Sequence, residues 1–86
     1  MVTIPELVVP ATGTGIAQQR RAEKHAAEGD HQMAAAYFRL ACQMATRSGR
    51  DAAALRLYLK YKAQRRELVK QQGRAAIAVP TKGSGR

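Results

Sequence analysis

Residues 29–49 read Gly29-Asp30-HQMAAAYFRLACQMATR-Ser48-Gly49, and this stretch decides the fold. Gly29 is a helix-ending residue and Asp30 a good N-cap for the helix that follows. Ser48-Gly49 closes the segment. The intervening residues, about His31 to Arg47, are rich in alanine and other strong helix formers and contain no proline. On a helix of 100° per residue, Leu40, Met33, Met44, Tyr37, Ala41, Ala34, Ala45, Phe38 and Cys42 cover more than half the circumference. Arg39, Gln32, Gln43 and Thr46 share the remaining strip. So wide an apolar face suits a central helix that touches neighbours on two sides.

Those neighbours are legible on either side of it. Ile16 to Glu28 reads as a preceding helix whose apolar residues are mostly alanines, Ala17, Ala22, Ala26 and Ala27. Thr12 or Thr14 is positioned to cap it. Asp51 to Gln72 reads as a third helix, with Asp51 favourable to the helix dipole and Gly73 as its stop. Ala54, Leu57, Tyr58, Tyr61, Leu68 and Val69 are expected to share its packed face. The prolines, Pro5, Pro10 and Pro80, all lie outside this helical centre. The expected fold is therefore all-α: a small antiparallel three-helix bundle over residues 16–72. An extended apolar arm and linker occupy residues 1–15, and a flexible basic tail occupies residues 73–86.

Eighty-six residues make one small domain, with no room for a second. A single cysteine excludes an intrachain disulfide framework and a multi-cysteine zinc site. No apolar run approaches the ~20 residues of a membrane span, and the first residues lack the pattern of a secretory signal. An intracellular, non-secreted protein is expected. Fifteen Lys+Arg against six Asp+Glu give a net charge of +9, which implies an acidic partner of some kind.

The spacing of Gly29-Asp30, Ala34, Phe38 and Ala41 resembles the second half of a tetratricopeptide (TPR) repeat. In that family a Gly opens the second helix and Ala, an aromatic residue and Ala follow. Ala22 falls where the repeat takes a small residue in its first helix, and Tyr58 falls near the aromatic position of a following one. Small residues let two helices approach closely while the aromatic ring fills the angle between them. The match covers about half the chain and one repeat only, where arrays are usually built of at least about three. His25 stands at the family's first-helix aromatic position and Thr46 at its closing proline. The three-helix order and the run AAAYFRLA also resemble a MIT-type domain, whose terminal pattern is echoed loosely at Tyr61, Arg66, Glu67 and Leu68. Either resemblance implies a protein-binding module without catalysis.

Charge concentrates in the third helix. From Arg50 to Arg74 eight cations face two carboxylates, a net of +6 out of the total +9. Arg56, Lys60, Lys62, Arg65, Arg66, Lys70 and Arg74 are the candidates for contact with a protein partner or with phosphates. Arg65 falls near the middle of the apolar face and is expected to snorkel outward. Tyr58 and Tyr61 read as packing residues rather than stacking platforms for bases. Val2, Ile4, Leu7, Val8 and Val9 are too apolar for a solvated tail and read as a docking arm. Pro10 and Gly13-Thr14-Gly15 form the linker behind them.

No catalytic site emerges. The six carboxylates form no persuasive acid–base pair, and the two serines, Ser48 and Ser84, sit in a turn and a tail. His31 and Cys42 are eleven residues apart on one helix, about 16 Å, too far to share a metal. Gly13-Thr14-Gly15 lacks the Gly-Lys-Ser/Thr of a phosphate loop and reads as a linker. No metal, cofactor or enzymatic activity is expected. The leading expectation is an accessory or adaptor module docking on a larger protein assembly. A nucleic-acid-binding protein using the basic helix is the alternative, and a phage or mobile-element accessory protein, whether virion component or host-directed inhibitor, is a third.

Overall fold

A computed structural model describes the backbone of residues 3–84 and the side chains of residues 3–73. It shows three helices, α1 (Ile16–Ala27), α2 (His31–Arg47) and α3 (Asp51–Ser84), and no strand among the described residues. The protein is a small all-α three-helix bundle.

The first two helices end where the sequence punctuates them. Gly29 takes φ 81° at the end of α1, a left-handed conformation that costs glycine little. The Asp30 amide then bonds back to the His25 carbonyl at 2.9 Å, satisfying an acceptor the helix leaves open. Asp30 Oδ1 accepts from the Met33 amide at 3.2 Å and caps α2. Ser48-Gly49 closes α2 by the same return bond, from the Arg50 amide to the Ala45 carbonyl.

Two local expectations are corrected. Neither Thr12 nor Thr14 caps α1: the cap position is Gly15, at φ 92°, with no side-chain bond. Glycine is needed there for a packing reason. A Cβ on Gly15 would stand 2.8 Å from the Ala41 carbonyl oxygen, so the start of α1 presses backbone to backbone on α2. Nor does Gly73 stop α3, whose backbone stays helical to Ser84, through what was expected to be a flexible tail. Glycine inside a helix costs only about 1 kcal/mol against alanine, Ala75, Ala76 and Ala78 follow it, and nothing lies within 4 Å of its Cβ position to force a turn; Pro80, expected beyond the helices, thereby falls within α3.

Helix α2 is the centre of the molecule, with the other elements on three of its sides. Towards α1, the His25 ring stacks flat on Tyr37, with centroids 5.5 Å apart and planes 6° apart. Towards α3, Cys42 Sγ donates to the Ala54 carbonyl at 3.3 Å, and His31 Nδ1 is hydrogen-bonded to Gln64 Oε1 at 2.6 Å. These pairings run in opposite chain directions, so α3 lies antiparallel to α2. Ala22, Ala34, Phe38 and Ala41 are all buried in one cluster with Ala45, Ala53, Ala54 and Leu57. Small residues bring the backbones together and Phe38, 3 % exposed, is the large side chain between them.

The third side of α2 is covered by the N-terminal arm. Gln32 donates to the Thr3 carbonyl at 2.9 Å, Arg39 pairs with Glu6 at 3.1 Å, and Arg47 donates to the Pro10 and Ala11 carbonyls at 2.7 and 3.1 Å. Arm and helix therefore run in the same direction. Seven extended steps from Thr3 to Pro10 span about 23 Å, and fifteen helical steps from Gln32 to Arg47 span about 22 Å, so the two match in length. Arg50 then holds the Thr14 carbonyl at 3.1 Å, and Ser48 Oγ lies 3.3 Å from that of Gly13. The polar strip of α2 is the strip that grips the arm.

An ion pair links helices α1 and α3. Lys60 Nζ lies 3.4 Å from Glu23 Oε2 and 5.9 Å from the Phe38 ring centroid, so it closes the core at that edge. The Gln19 amide donates to the same carboxylate at 3.1 Å and, with Lys60, holds it below its ordinary pKa. The stability this contributes is present above the unfolded pKa of Glu23 and is lost as pH falls through the folded one. The carboxylate is about half exposed, so the contribution is small.

Candidate interaction surface

Helix α3 has two apolar sides, and the bundle uses one. Leu57 is buried, Tyr61 is half-buried against the core, and Leu68 further along is half-buried. Leu55, Tyr58, Leu59 and Val69 face away from it and are 60, 46, 56 and 57 % exposed. Tyr58 and Val69 are thus corrected from packed to outward positions. The reason is geometric: α2 covers one flank of α3, and α1, only twelve residues long, does not reach round to the other.

The same outward side carries cations. At 100° per residue, Leu55, Tyr58, Leu59 and Val69 share roughly a third of the helix circumference with Lys62, Arg65 and Arg66. Lys62, Arg65, Arg66, Val69 and Lys70 line one open groove. Lys62 Nζ stands 5.6 Å from the Tyr58 ring centroid and the Arg65 guanidinium 5.9 Å from that of Tyr61. Arg65 thus leaves the apolar face by lying along an aromatic ring into solvent.

Five of the six carboxylates are engaged elsewhere: Glu6 with Arg39, Glu23 with Lys60, Glu28 and Asp30 near His25, and Glu67 with Lys70. Among the described residues no carboxylate pairs with Lys62, Arg65 or Arg66. Of the remaining candidates, Arg56 and Lys60 are exposed on a different side of α3, and the side chain of Arg74 lies outside the described residues. The structure therefore gathers Lys62, Arg65, Arg66 and Lys70 and separates Arg56 and Lys60 from them. Sequence reading missed Leu55 and Leu59 as surface residues. Their signal was available: α3 carries apolar residues at more angular positions than one neighbouring helix can cover.

The arm residues divide. Ile4, Leu7 and Val9 are half-buried, and Leu7 and Val9 line a cleft with Ala36 and Leu40 of α2. Val8 points outward and is 90 % exposed. Val2 lies outside the described residues.

The reactive side chains are occupied structurally. Burial pushes the Cys42 thiol above its ordinary pKa, which leaves it protonated at neutral pH and poorly nucleophilic. Among the described residues no three His, Cys, Asp or Glu side chains gather where a metal could bind, and no helix is long and apolar enough to cross a membrane. No family model matches the chain, and no curated protein or solved structure matches it either.

Proposed function

We propose that this chain is a non-enzymatic interaction module, an accessory or adaptor subunit that docks on a larger protein assembly through the outward side of α3. One observation carries the reading: four large apolar side chains stand exposed on one side of the bundle, among Lys62, Arg65 and Arg66, which pair with no carboxylate among the described residues. Scattered exposed apolar residues are ordinary on a protein surface, but a row of them with a common direction marks a contact. The sequence resemblance of the Gly29–Ala41 spacing to a TPR repeat, and of the three-helix order and the AAAYFRLA run to a MIT-type domain, supports the same class of function. Capture of partners by the tagged full chain, with and without nuclease, tests it. A protein partner should be retained after nuclease treatment and lost from the double variant Leu55→Ser, Leu59→Ser, whose melting temperature should stay close to that of the parent.

Lys62, Arg65 and Arg66, which pair with no carboxylate among the described residues, favour a second reading, contact with nucleic acid along the same helix. It requires affinity that falls steeply with salt as counterions are released, and capture that disappears with nuclease.

A further inference from the structure

We infer that the occupant of this surface is an acidic amphipathic helix of a partner protein, about four turns long, with carboxylates in its middle and apolar residues at both ends. The inference rests on the docking reading above and adds the chemistry of the partner.

The order of residues along α3 specifies it. Leu55, Tyr58 and Leu59 form an apolar patch, Lys62, Arg65 and Arg66 a cationic one, and Val69 returns to apolar. From Leu55 to Val69 is fourteen steps, about 21 Å. Leu55, Lys62 and Val69 recur every seven residues, and Tyr58 and Arg65 fall three after the first two, so the five line one seam of the helix with cations in its middle. A helix surface offers no free backbone donors to an extended strand, so recognition here is by side chains packed in rows.

The alternatives fit less well, each for a stated reason. A second copy of this chain would set the Lys62–Arg66 cluster against itself in either a parallel or a centred antiparallel pairing, and like charges repel. An anionic lipid surface would have to take Lys62 and Arg66 inward with the leucines, because cations and apolar residues share one sector instead of dividing into two faces. A nucleic-acid backbone would satisfy the cations but leave Leu55, Leu59 and Val69 against phosphates.

The test uses the full chain and five synthetic probes. Three are helical peptides of equal length: one with acidic residues at the centre and leucines at both ends, one of the same composition with the acids moved to the ends, and one with lysines at the centre. A duplex oligonucleotide and phosphatidylserine-containing vesicles complete the set. The centre-acidic peptide should bind roughly tenfold or more tightly than its rearranged counterpart. The variant Lys62→Glu, Arg66→Glu should reverse the preference towards the lysine-centred peptide, a swap that a general loss of structure does not produce. Equal binding of the two acidic peptides, or tighter binding to the duplex or the vesicles, overturns the inference. If it is overturned while Leu55→Ser, Leu59→Ser still abolishes capture of the cellular partner, the docking surface stands and only its occupant is different. If both fail, the surface itself is not used.

Discussion

Helices α2 and α3 lie side by side and draw on much the same apolar residues, yet they fare differently. Every apolar residue of α2 is buried or half-buried, because α1, α3 and the N-terminal arm approach it from three directions. Helix α3 has one covered flank and leaves Leu55, Tyr58, Leu59 and Val69 in solvent. The difference lies first in how many neighbours each helix has, although α3 is also the more highly charged of the two. Helix α2 is a structural spine whose contacts are completed within the chain. Helix α3 is completed on one side only, and the uncompleted side is where a partner has most to gain.

The contrast breaks most sharply at the junction of the two helices. Phe38→Ala should cost about 3–5 kcal/mol and Leu57→Ala about 2–5 kcal/mol, because each empties a buried site in a cluster made mostly of alanines, which are too short to move in and fill it. Chemical denaturation followed by circular dichroism measures both. A loss below about 0.5 kcal/mol for either would show that the alanine-lined interface is looser than its burial indicates.

A smaller effect is expected from the arm, which makes α2 a three-sided helix. Deleting residues 1–10 uncovers Ala36 and Leu40 and removes Glu6 from Arg39 and the Pro10 carbonyl from Arg47, leaving Arg47 only that of Ala11. The half-buried Ile4, Leu7 and Val9 support a loss of about 1–3 kcal/mol after the entropy of holding the arm is counted. Thermal unfolding of the truncated chain measures it. An unchanged melting temperature with loss of a partner would instead make the apolar strip a docking segment that rests on α2 only when unoccupied.

Much of this contrast was legible in the sequence, and its gaps have physical causes. The bounds of α2 and the start of α3 followed from Gly29-Asp30 and Ser48-Gly49, where cap and stop residues coincide with the ends of helix-forming runs. The buried role of Ala22, Ala34, Phe38 and Ala41 followed from their spacing. The path of the arm did not, because it is fixed by Gln32, Arg39, Arg47 and Arg50 bonding to groups some thirty to forty residues away, mostly backbone carbonyls that any residue offers. The cap of α1 was misread at Thr12 and Thr14 because the demand at Gly15 comes from Ala41, a tertiary neighbour. The sidedness of α3 was misread at Tyr58 and Val69 because periodicity reports apolar directions but not how many of them a short neighbour can cover.

The smallest expected effect on stability is the one that sharpens the comparison furthest. Leu55 and Leu57 are two residues apart in the same helix, 60 % and 3 % exposed. Leu55→Ala should change the unfolding free energy by no more than about 0.5 kcal/mol, since the side chain is mostly hydrated already and alanine is at least as good a helix former. The same substitution at Leu57 belongs with the largest losses. Leucine to alanine at both sites holds the chemistry constant, so the difference between them isolates burial. If Leu55→Ala proves as costly as Leu57→Ala, something within the chain covers the outward side of α3 and no partner is needed there. If its cost is near zero and partner capture nonetheless falls, the side chain is held in place for a contact that folding does not use.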